Sequence, residues 1–298
     1  MKQLIIISLL TCFFSCRNNK ETTETFTETA DQISIFEVYF KQTESVDRFG
    51  IFLRDTLMLP VEWEPFDIFG NGVVYDAAYY LGNTTLELLS LTAGDSTLNV
   101  PARFNRVLFD TRNIEKDSEF LKTQGIQHTP PFDFNISSKG SELQIGRQIN
   151  LDSISKVSNI NIAFWQYENA GFNFSERSIS SDNENDLNRK LENVFESNLL
   201  GIVGLKEIHM TINQIAEEQW IDLLGETPLK RWNLKEGPSI SYDLADISLG
   251  LDWISIQVKE LNQARDFLTI NEIAFTPLKG AIQLDRAEFY GLNILLEE

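Results

Sequence analysis

The chain has 298 residues, of which 42% are hydrophobic and 11% aromatic, and this is enough apolar material for one large or two ordinary folded domains. It carries 44 acidic and 25 basic residues, so its formal net charge at pH 7 is −19. Such a charge repels phosphate backbones and anionic lipid headgroups, which argues against nucleic acid as a partner. Solubility explains the acidity better than a specific role in binding cations does.

The N-terminal residues 1–16 have the pattern of an export signal. Lys2 precedes an apolar run over residues 4–14, which is shorter than the ~20 residues that span a membrane. The sequence FFSC, which ends at Cys16, resembles the lipobox of bacterial lipoproteins. The resemblance implies that residues 1–16 are a signal peptide and that Cys16 is acylated, on the periplasmic side or at the cell surface. Two alternatives remain: lipidation at Cys12, or a plain secretory signal.

Residues 17–32 are polar and rich in Thr and Glu, with a single aromatic residue. They cannot bury enough apolar surface to offset the entropy of ordering, so we expect a flexible tether. The predicted contact with the membrane is therefore through the N-terminal lipid only. If Cys12 is removed and Cys16 is acylated, the remaining chain has no cysteine for a disulfide or a thiolate.

Residues 33–89 form the unit on which the rest of the chain is patterned: a strand, an amphipathic helix and three further strands. Side chains alternate between the two faces of a strand, so Phe36, Val38 and Phe40 share one face of the first strand and Glu37 lies on the other. Turn residues separate the later strands, and helical spacing of apolar residues defines the helix.

The sequences FLRDTLMLPVEW and YYLGNTTLELLSL within this unit resemble the module of the vicinal oxygen chelate (glyoxalase-like) superfamily, which includes bleomycin-resistance proteins and extradiol dioxygenases. Similar strand-helix openings follow Ala102, Gly204 and Gly250. The resemblance implies an α+β fold of tandem βαβββ modules that pair into curved, mostly antiparallel half-barrel sheets, with the helices on the outside. The third module is short, because only two strand segments separate its helix from the fourth module.

This reading divides the chain into two halves. Residues 33–175 form a glyoxalase-like domain of modules one and two. Residues 176–198 form a polar linker with a short helix, and residues 199–298 form a second glyoxalase-like domain of modules three and four.

The resemblance also implies where a binding site lies. The family places a metal ligand on the first strand of a module and a carboxylate on the fourth, and these positions hold Glu37 and Glu87 here. His or Gln is usual at the first of them. Superposing the second module on the first puts Arg106 at the position of Glu37 and Gln166 at that of Glu87. Strand alternation predicts that the two glutamates converge on the face opposite the helix.

Three interpretations of this set remain open. Oxygen donors from Glu37, Glu87 and Gln166 could hold a divalent metal, although a guanidinium at Arg106 cannot ligate and repels an ion. Arg106 could instead neutralise the two glutamates in a buried ion-pair network. In the third interpretation Arg106, with Tyr39 and Gln166, binds an anionic or polyhydroxy ligand, a role that suits the flat guanidinium.

In the second half the same superposition places Glu207 and Trp253 at the first-strand positions. The two histidines of the chain, His128 and His209, are far apart in sequence, and neither belongs to a recognisable metal or Ser-His-Asp motif. We expect His209 to be a packed histidine rather than a ligand.

Two functions follow from these observations. The first is a membrane-tethered protein that binds a small molecule in the concave sheet of modules one and two, with a degenerate metal site. The second is a metal-dependent lyase, isomerase or dioxygenase, in which a divalent metal polarises a carbonyl or enediolate oxygen and a glutamate moves the proton. The cation at Arg106 favours the first. The sequence does not name the ligand.

Overall fold

The computed structural model describes residues 30, 32–68, 74–91, 102–138, 141–167 and 184–298. The predicted signal peptide, Cys16 and nearly all of the tether lie outside these residues. Within the described ranges the chain forms fifteen strands and six α-helices, arranged as two mixed sheets in an α+β fold. The predicted fold class is confirmed, including a first sheet that curls into a half-barrel of eight strands.

The first sheet contains the strands of modules one and two in the order β2-β3-β4-β1-β5-β8-β7-β6. The strands of module one are β1 Ile33–Phe40, β2 Val61–Asp67, β3 Val74–Tyr80 and β4 Thr85–Leu91. Those of module two are β5 Arg103–Asp110, β6 Phe132–Ser138, β7 Ser141–Asn150 and β8 Asn161–Tyr167. Within each module the first and fourth strands pair in parallel, and the two modules meet where β1 runs antiparallel to β5.

Two helices of this half connect the first strand of each module to the later strands, and a third lies between the third and fourth strands of module two. They are α1 Thr43–Ile51, which continues as a π-helical turn over Phe52–Thr56, then α2 Ile114–Thr123 and α3 Asp152–Ser158. The helix α3 lies between β7 and β8 and has no counterpart in module one. A further helix, α4 Glu184–Ser197, falls within the predicted linker.

The second sheet has the order β10-β11-β9-β12-β15-β14-β13. Its strands are β9 Ile202–Ile212, β10 Arg231–Asn233, β11 Ser239–Leu244, β12 Gly250–Val258, β13 Phe275–Leu278, β14 Ala281–Leu284 and β15 Ile294–Glu297. Its helices are α5 Gln214–Leu224 and α6 Leu261–Ile270. Module three has only two strands after its helix, as the sequence predicts, and module four is complete.

The curl of the first sheet can be deduced from charges that act across it. Tyr167 on β8 and Glu62 on β2 are five strand positions apart, which is roughly 24 Å in a flat sheet. Burial, and then the charges of Glu62 and Glu87, nevertheless raise the pKa of Tyr167 well above its usual value. The sheet must therefore curl toward the face that carries Tyr167, and we call this face the inner face.

The opposite face of the first sheet packs into the main core, as strand alternation predicts. Phe36, Val38 and Phe40 are buried there with Phe49 of α1. A smaller apolar cluster occupies the inner face, formed by Ile35, Leu108, Ala163 and Trp165. Burial of large apolar side chains on one face fixes the strand register, because a slip of one residue would turn every side chain to the other face.

The two halves share the main core. The indole N–H of Trp220 on α5 donates to Ser158 Oγ at 3.0 Å, and its rings lie against Phe109 of β5. Asn83 bonds the backbone of Leu205 in both directions, at 3.0 and 2.9 Å. Gly82 is required at this junction, since its φ is +66° and an added Cβ would lie 2.1 Å from the carbonyl oxygen of Val203.

Candidate functional site

Four residues form a row across the centre of the inner face. Glu37 on β1 is the register partner of Glu87 on β4 and of Arg106 on β5, and Arg106 is in turn the partner of Asn161 on β8. Register partners lie about 5 Å apart at Cα and project to the same face. The structure therefore brings Glu37, Glu87 and Arg106 together, as the sequence predicts.

Glu37 is almost fully buried and is contacted by two donors from β5. Arg106 Nη1 lies 3.7 Å from Glu37 Oε2, and Asn105 Nδ2 donates to Glu37 Oε1. The Arg106 side chain is 23% exposed, whereas that of Glu37 is 2% exposed. The ion pair thus has a buried carboxylate and a guanidinium that reaches the surface of a cavity.

A β-bulge at Asn105 gives β5 an unusual pattern of side chains. Phe104 pairs with Val38 and Arg106 with Glu37, so Asn105 is the extra residue. The bulge places Arg103 and Arg106 on the same face although they are three residues apart, which regular alternation would not allow. The Arg103 guanidinium lies over the ring of Tyr39, 5.5 Å from its centroid. Tyr39 therefore joins the site by positioning Arg103.

Three more carboxyl groups stand beside Glu37 on β2, β3 and β4. Burial, and then the charge of Glu37, raise the pKa of Glu87 to about 7. Burial and the neighbouring Glu87 raise the pKa of Asp76 well above its usual value. Burial raises that of Glu62 to about 7, although its Oε2 accepts a hydrogen bond from Thr85 Oγ1 at 2.6 Å. Near neutral pH these acids are therefore protonated to a greater extent than ordinary carboxyl groups are.

Asp76 on β3 and Glu87 on β4 are diagonal neighbours, because the register partner of Asp76 is Leu89, two residues beyond Glu87. In the described part of the chain, Asp76 Oδ1 and Glu87 Oε2 are buried and receive no hydrogen bond from a protein donor. Asp76 is 3% exposed and Glu87 is 9% exposed. The raised pKa values of the two groups follow from this loss of water, since burial disfavours the charged carboxylate.

A cavity of about 840 Å³ opens at the edge of the inner face, where β5 and β8 begin. Glu37, Arg103, Asn105 and Arg106 line one side. The opposite side is formed by the start of α3, the turn into β8 and one residue of the second half. These residues are Asp152, Ser155, Lys156, Asn159, Asn161 and Leu249. The lining is mostly polar and combines guanidinium, ammonium, carboxylate and amide groups.

The expected position of Gln166 needs correction. Its Oε1 accepts a hydrogen bond at 3.0 Å from the backbone N–H of Ile114, the first residue of α2, so the side chain lies on the helix face and not beside Glu37. Asn161 occupies the position in module two that corresponds to Glu87. The superposition of the two modules was therefore five residues out of register on this strand. Gln166 completes the cap of α2, together with Asn113.

In the second half Glu207 lies on the equivalent face, but its register partner on β12 is Ser255, so the superposition placed Trp253 two residues away from the position equivalent to Arg106. Glu207 Oε2 lies 3.1 Å from Arg231 Nη1 of the edge strand β10. Trp253 stacks on His209, with ring centroids 4.6 Å apart. His209 Nδ1 lies 2.9 Å from Ser241 Oγ, so this histidine is packed and bonded, as the sequence suggests. His128 is likewise held by local contacts.

The residues present do not fit a divalent metal. Arg106 and Asn161 occupy the second half of the central row, where a chelate would need further anionic or imidazole donors. In the second half the row partners of Glu207 are Ser239 and Ser255. Among the described residues, no three His, Cys, Asp or Glu side chains are placed to hold a metal ion.

Several residues of the site were not predicted from the sequence. Glu62, Asp76, Arg103, Asn105 and Asn161 all face it or line its cavity. Asp76 carried a signal, since an acid within an apolar aromatic strand is unusual. No helix in the described part of the chain has the length and apolar character needed to cross a membrane.

No protein-family model and no curated protein sequence matches this chain. Solved structures do resemble it. A hypothetical protein from Staphylococcus aureus is 11% identical with a TM-score of 0.56, over 89% of this chain and 98% of that one. The 2,3-dioxygenase LapB from Pseudomonas sp. KL28 is 14% identical with a TM-score of 0.54, over 90% and 92%.

Homoprotocatechuate 2,3-dioxygenase from Arthrobacter globiformis is 11% identical with a TM-score of 0.55, over 90% of this chain and 80% of that chain. At such low identities the likeness establishes the fold alone. It supports the architecture that the sequence predicts, over 89–90% of this chain and 80–98% of the three proteins.

Proposed function

We propose that this protein binds a small organic anion in the cavity beside the inner face of modules one and two, without a metal. The observation that carries the proposal is the pair Arg103 and Arg106, which the bulge at Asn105 turns to one face and which line the cavity together. In the described part of the chain, no hydrogen bond occupies the N–H groups of either guanidinium.

Guanidinium groups of this kind bind carboxylate or phosphate oxygens through paired, charge-assisted hydrogen bonds. Lys156 adds a third cation to the same cavity, and Asn105, Asn159 and Asn161 add amide groups that bind hydroxyls. A polar lining with a few convergent charged groups is typical of a site that orients a small molecule. The net charge of −19 makes this local concentration of cations more distinctive.

Binding can be tested by isothermal titration calorimetry at pH 7 with a panel of carboxylic acids, hydroxy acids and phosphate esters. We expect at least one class to bind, and Arg103→Ala to weaken its binding at least tenfold. Arg103 is exposed, so the change should leave the fold intact. The matched control is Arg231→Ala in the second half, which should bind as the wild type does. Failure of every anion, or full binding by Arg103→Ala, would contradict the proposal.

The metal-dependent alternative is tested separately. Thermal melts of the wild-type protein with added Mn²⁺, Zn²⁺ or Ni²⁺ should show no shift in melting temperature, because Arg106 occupies the place of a ligand. A stabilisation by one of these ions that is lost in Glu87→Gln would restore the chelate interpretation and, with it, a lyase, isomerase or dioxygenase activity.

We also propose that the protein is attached to a bacterial membrane through a lipid on Cys16. The support is the signal-like pattern of residues 1–16 and the polar segment that follows it. Cys16→Ser should move the protein from the membrane fraction to the soluble fraction, whereas Cys12→Ser, the matched control, should leave it in the membrane. Unchanged fractionation of Cys16→Ser would exclude this anchor.

A further inference from the structure

We infer that the ligand of the cavity is a sugar acid, which is a compound with one carboxylate on a carbon frame that carries several hydroxyl groups, such as a hexuronate. The inference rests on the proposed function, because it names the ligand class of the same site. Arg103 and Arg106 bind the carboxylate, and the amide and carboxylate side chains of the cavity bind the hydroxyl groups.

The first argument is the charge of the cavity. Three cations line it, Arg103, Arg106 and Lys156, together with two carboxylates, Glu37 and Asp152, so one positive charge is in excess. A ligand with a single negative charge balances this excess. A phosphate monoester carries close to two negative charges at pH 7, and the two carboxylates of the cavity would repel it more strongly. The lining therefore favours a monocarboxylate.

The second argument concerns the four asparagines of the lining, three of which use one end of the amide within the protein. Asn159 Nδ2 donates to a backbone carbonyl of the second half at 3.2 Å, and Asn105 Nδ2 donates to Glu37 Oε1. Asn150 Oδ1 accepts a hydrogen bond from a neighbouring glutamine. Among the described residues, the other end of each amide has no partner. These side chains are therefore held in place, and each has one polar atom left for a ligand.

The atoms that are left include both acceptors and donors. Oδ1 of Asn105 and Oδ1 of Asn159 accept, whereas Nδ2 of Asn150 donates. Asn161, exposed at the start of β8, has no bond to either end of its amide within the described ranges. A hydroxyl group both donates and accepts, so it can use all of these atoms, while a carboxylate cannot use the acceptors. An ammonium group could use the acceptors, but it would add to the excess of positive charge.

The third argument is the arrangement of the two walls of the cavity. Opposite the guanidinium groups, Asp152 and Lys156 are one turn apart on α3 and project to the same side. Both are exposed, and neither forms an ion pair with another described residue. Leu249 of the second half lies beside them and is 62% exposed. A ligand whose carboxylate binds Arg103 therefore meets polar groups and an apolar contact on the far wall, which suits the hydroxyls and the C–H face of a sugar ring.

The experiment is isothermal titration calorimetry of the full chain at pH 7 with D-glucuronate, D-galacturonate, D-mannuronate and digalacturonate. For each uronate that binds, three analogues are titrated: the parent hexose, the hexose 6-phosphate, and cyclohexanecarboxylate, which keeps a ring and a carboxylate but has no hydroxyl. We expect at least one uronate to bind and every analogue to bind at least tenfold more weakly. Binding of digalacturonate at least tenfold tighter than that of galacturonate assigns the cavity to the end of an oligosaccharide, and otherwise to the free acid.

Substitutions separate the two ends of the ligand. Asn161→Ala should weaken the uronate at least fivefold and leave the binding of cyclohexanecarboxylate, followed by ligand-observed NMR, unchanged. Arg103→Ala should weaken both compounds. The matched control is Asn262→Ala on the exposed side of α6 in the second half, which should bind as the wild type does. If Asn161→Ala does not fold, Asp152→Ala on the opposite wall provides the same comparison, since it too should weaken the uronate and not cyclohexanecarboxylate.

The other outcomes separate this inference from the proposed function. If organic anions bind but no uronate does, or if cyclohexanecarboxylate binds as tightly as the uronate, the sugar acid is excluded and the anion site stands. If the hexose 6-phosphate binds more tightly than the uronate, the assignment of a single carboxylate is overturned, although an anion still binds. If the parent hexose binds as tightly as the uronate, or if no anion of either panel binds, the inference and the proposed function both fail.

Discussion

The two halves of the molecule present the same construction with different charges on the equivalent face. In each half a central row of register partners crosses four neighbouring strands. The row of the first half contains Glu87, Glu37, Arg106 and Asn161, and that of the second half contains Ser239, Glu207, Ser255 and Leu295. Each row has a glutamate on the first strand of its first module. The remaining positions are charged or amide-bearing in one half and neutral in the other.

This difference shows what distinguishes a binding face from a structural one. Glu207 has its own partner, Arg231, at 3.1 Å, and its neighbours in the row need no counterion. On the first-half face, four acids stand against the guanidinium groups of Arg103 and Arg106, and burial raises the pKa of Glu62, Asp76 and Glu87. Uncompensated charge is costly in a folded protein, and it tends to persist where function requires it. This contrast supports the proposal that the binding site lies in the first half.

The largest expected loss of stability tests whether the two halves unfold as one cooperative unit. Trp220 is fully buried between the halves, against Phe109 and bonded to Ser158. Trp220→Ala should lower the free energy of unfolding by about 3–5 kcal/mol, the usual cost of such a cavity. Both halves should lose stability together in urea denaturation followed by hydrogen exchange. A variant in which the second half alone is destabilised would mean that the halves fold separately; Trp220→Phe is the milder control.

The next effect compares the two ion pairs directly. Arg106→Ala leaves the buried Glu37 without its cation, which should cost on the order of 3 kcal/mol, the lower end for a buried pair because the guanidinium is 23% exposed. Arg231→Ala should cost below about 1 kcal/mol, since Arg231 is 40% exposed. Urea denaturation measures both. Adding Glu37→Gln to Arg106→Ala should recover part of the lost free energy of unfolding. If the two arginine substitutions destabilise the protein equally, the two faces do not differ in this respect.

Much of this site could be predicted from the sequence, and the failures have physical causes. Glu37 and Glu87 were correctly placed together, because strand alternation and the glycine turn at Gly82 fix their faces locally. Gln166 was misplaced because the pairing of parallel strands is set by packing across the molecule, which local pattern does not reveal. Arg103 was missed because a bulge changes the alternation of side chains without a mark in the sequence. The division of the chain at residues 176–198 stays a prediction.

A smaller effect is the pH dependence of stability. Burial, and then the charge of Glu37, raise the pKa of Glu87 to about 7, above its ordinary value of 4.5. The folded protein thus holds a proton that the unfolded chain releases at lower pH. Its stabilising contribution is complete below about pH 4.5 and is lost as the pH rises to about 7, on the order of 3 kcal/mol. Glu87→Gln should flatten this decline in urea melts, whereas Trp253→Phe, which changes no titratable group, should keep the wild-type slope.

The smallest effect tests the revised position of Gln166. Its side-chain oxygen accepts the backbone N–H of Ile114 at the first turn of α2, so Gln166→Ala should cost about 1 kcal/mol of stability through the lost cap. Gln166→Glu retains an acceptor at that helix N-terminus and should restore most of the loss. Neither change should alter binding of the ligand that Arg103→Ala weakens, because the side chain points away from the cavity. A loss of binding in Gln166→Ala without a loss of stability would return Gln166 to the inner face and join the two modules in one four-residue site.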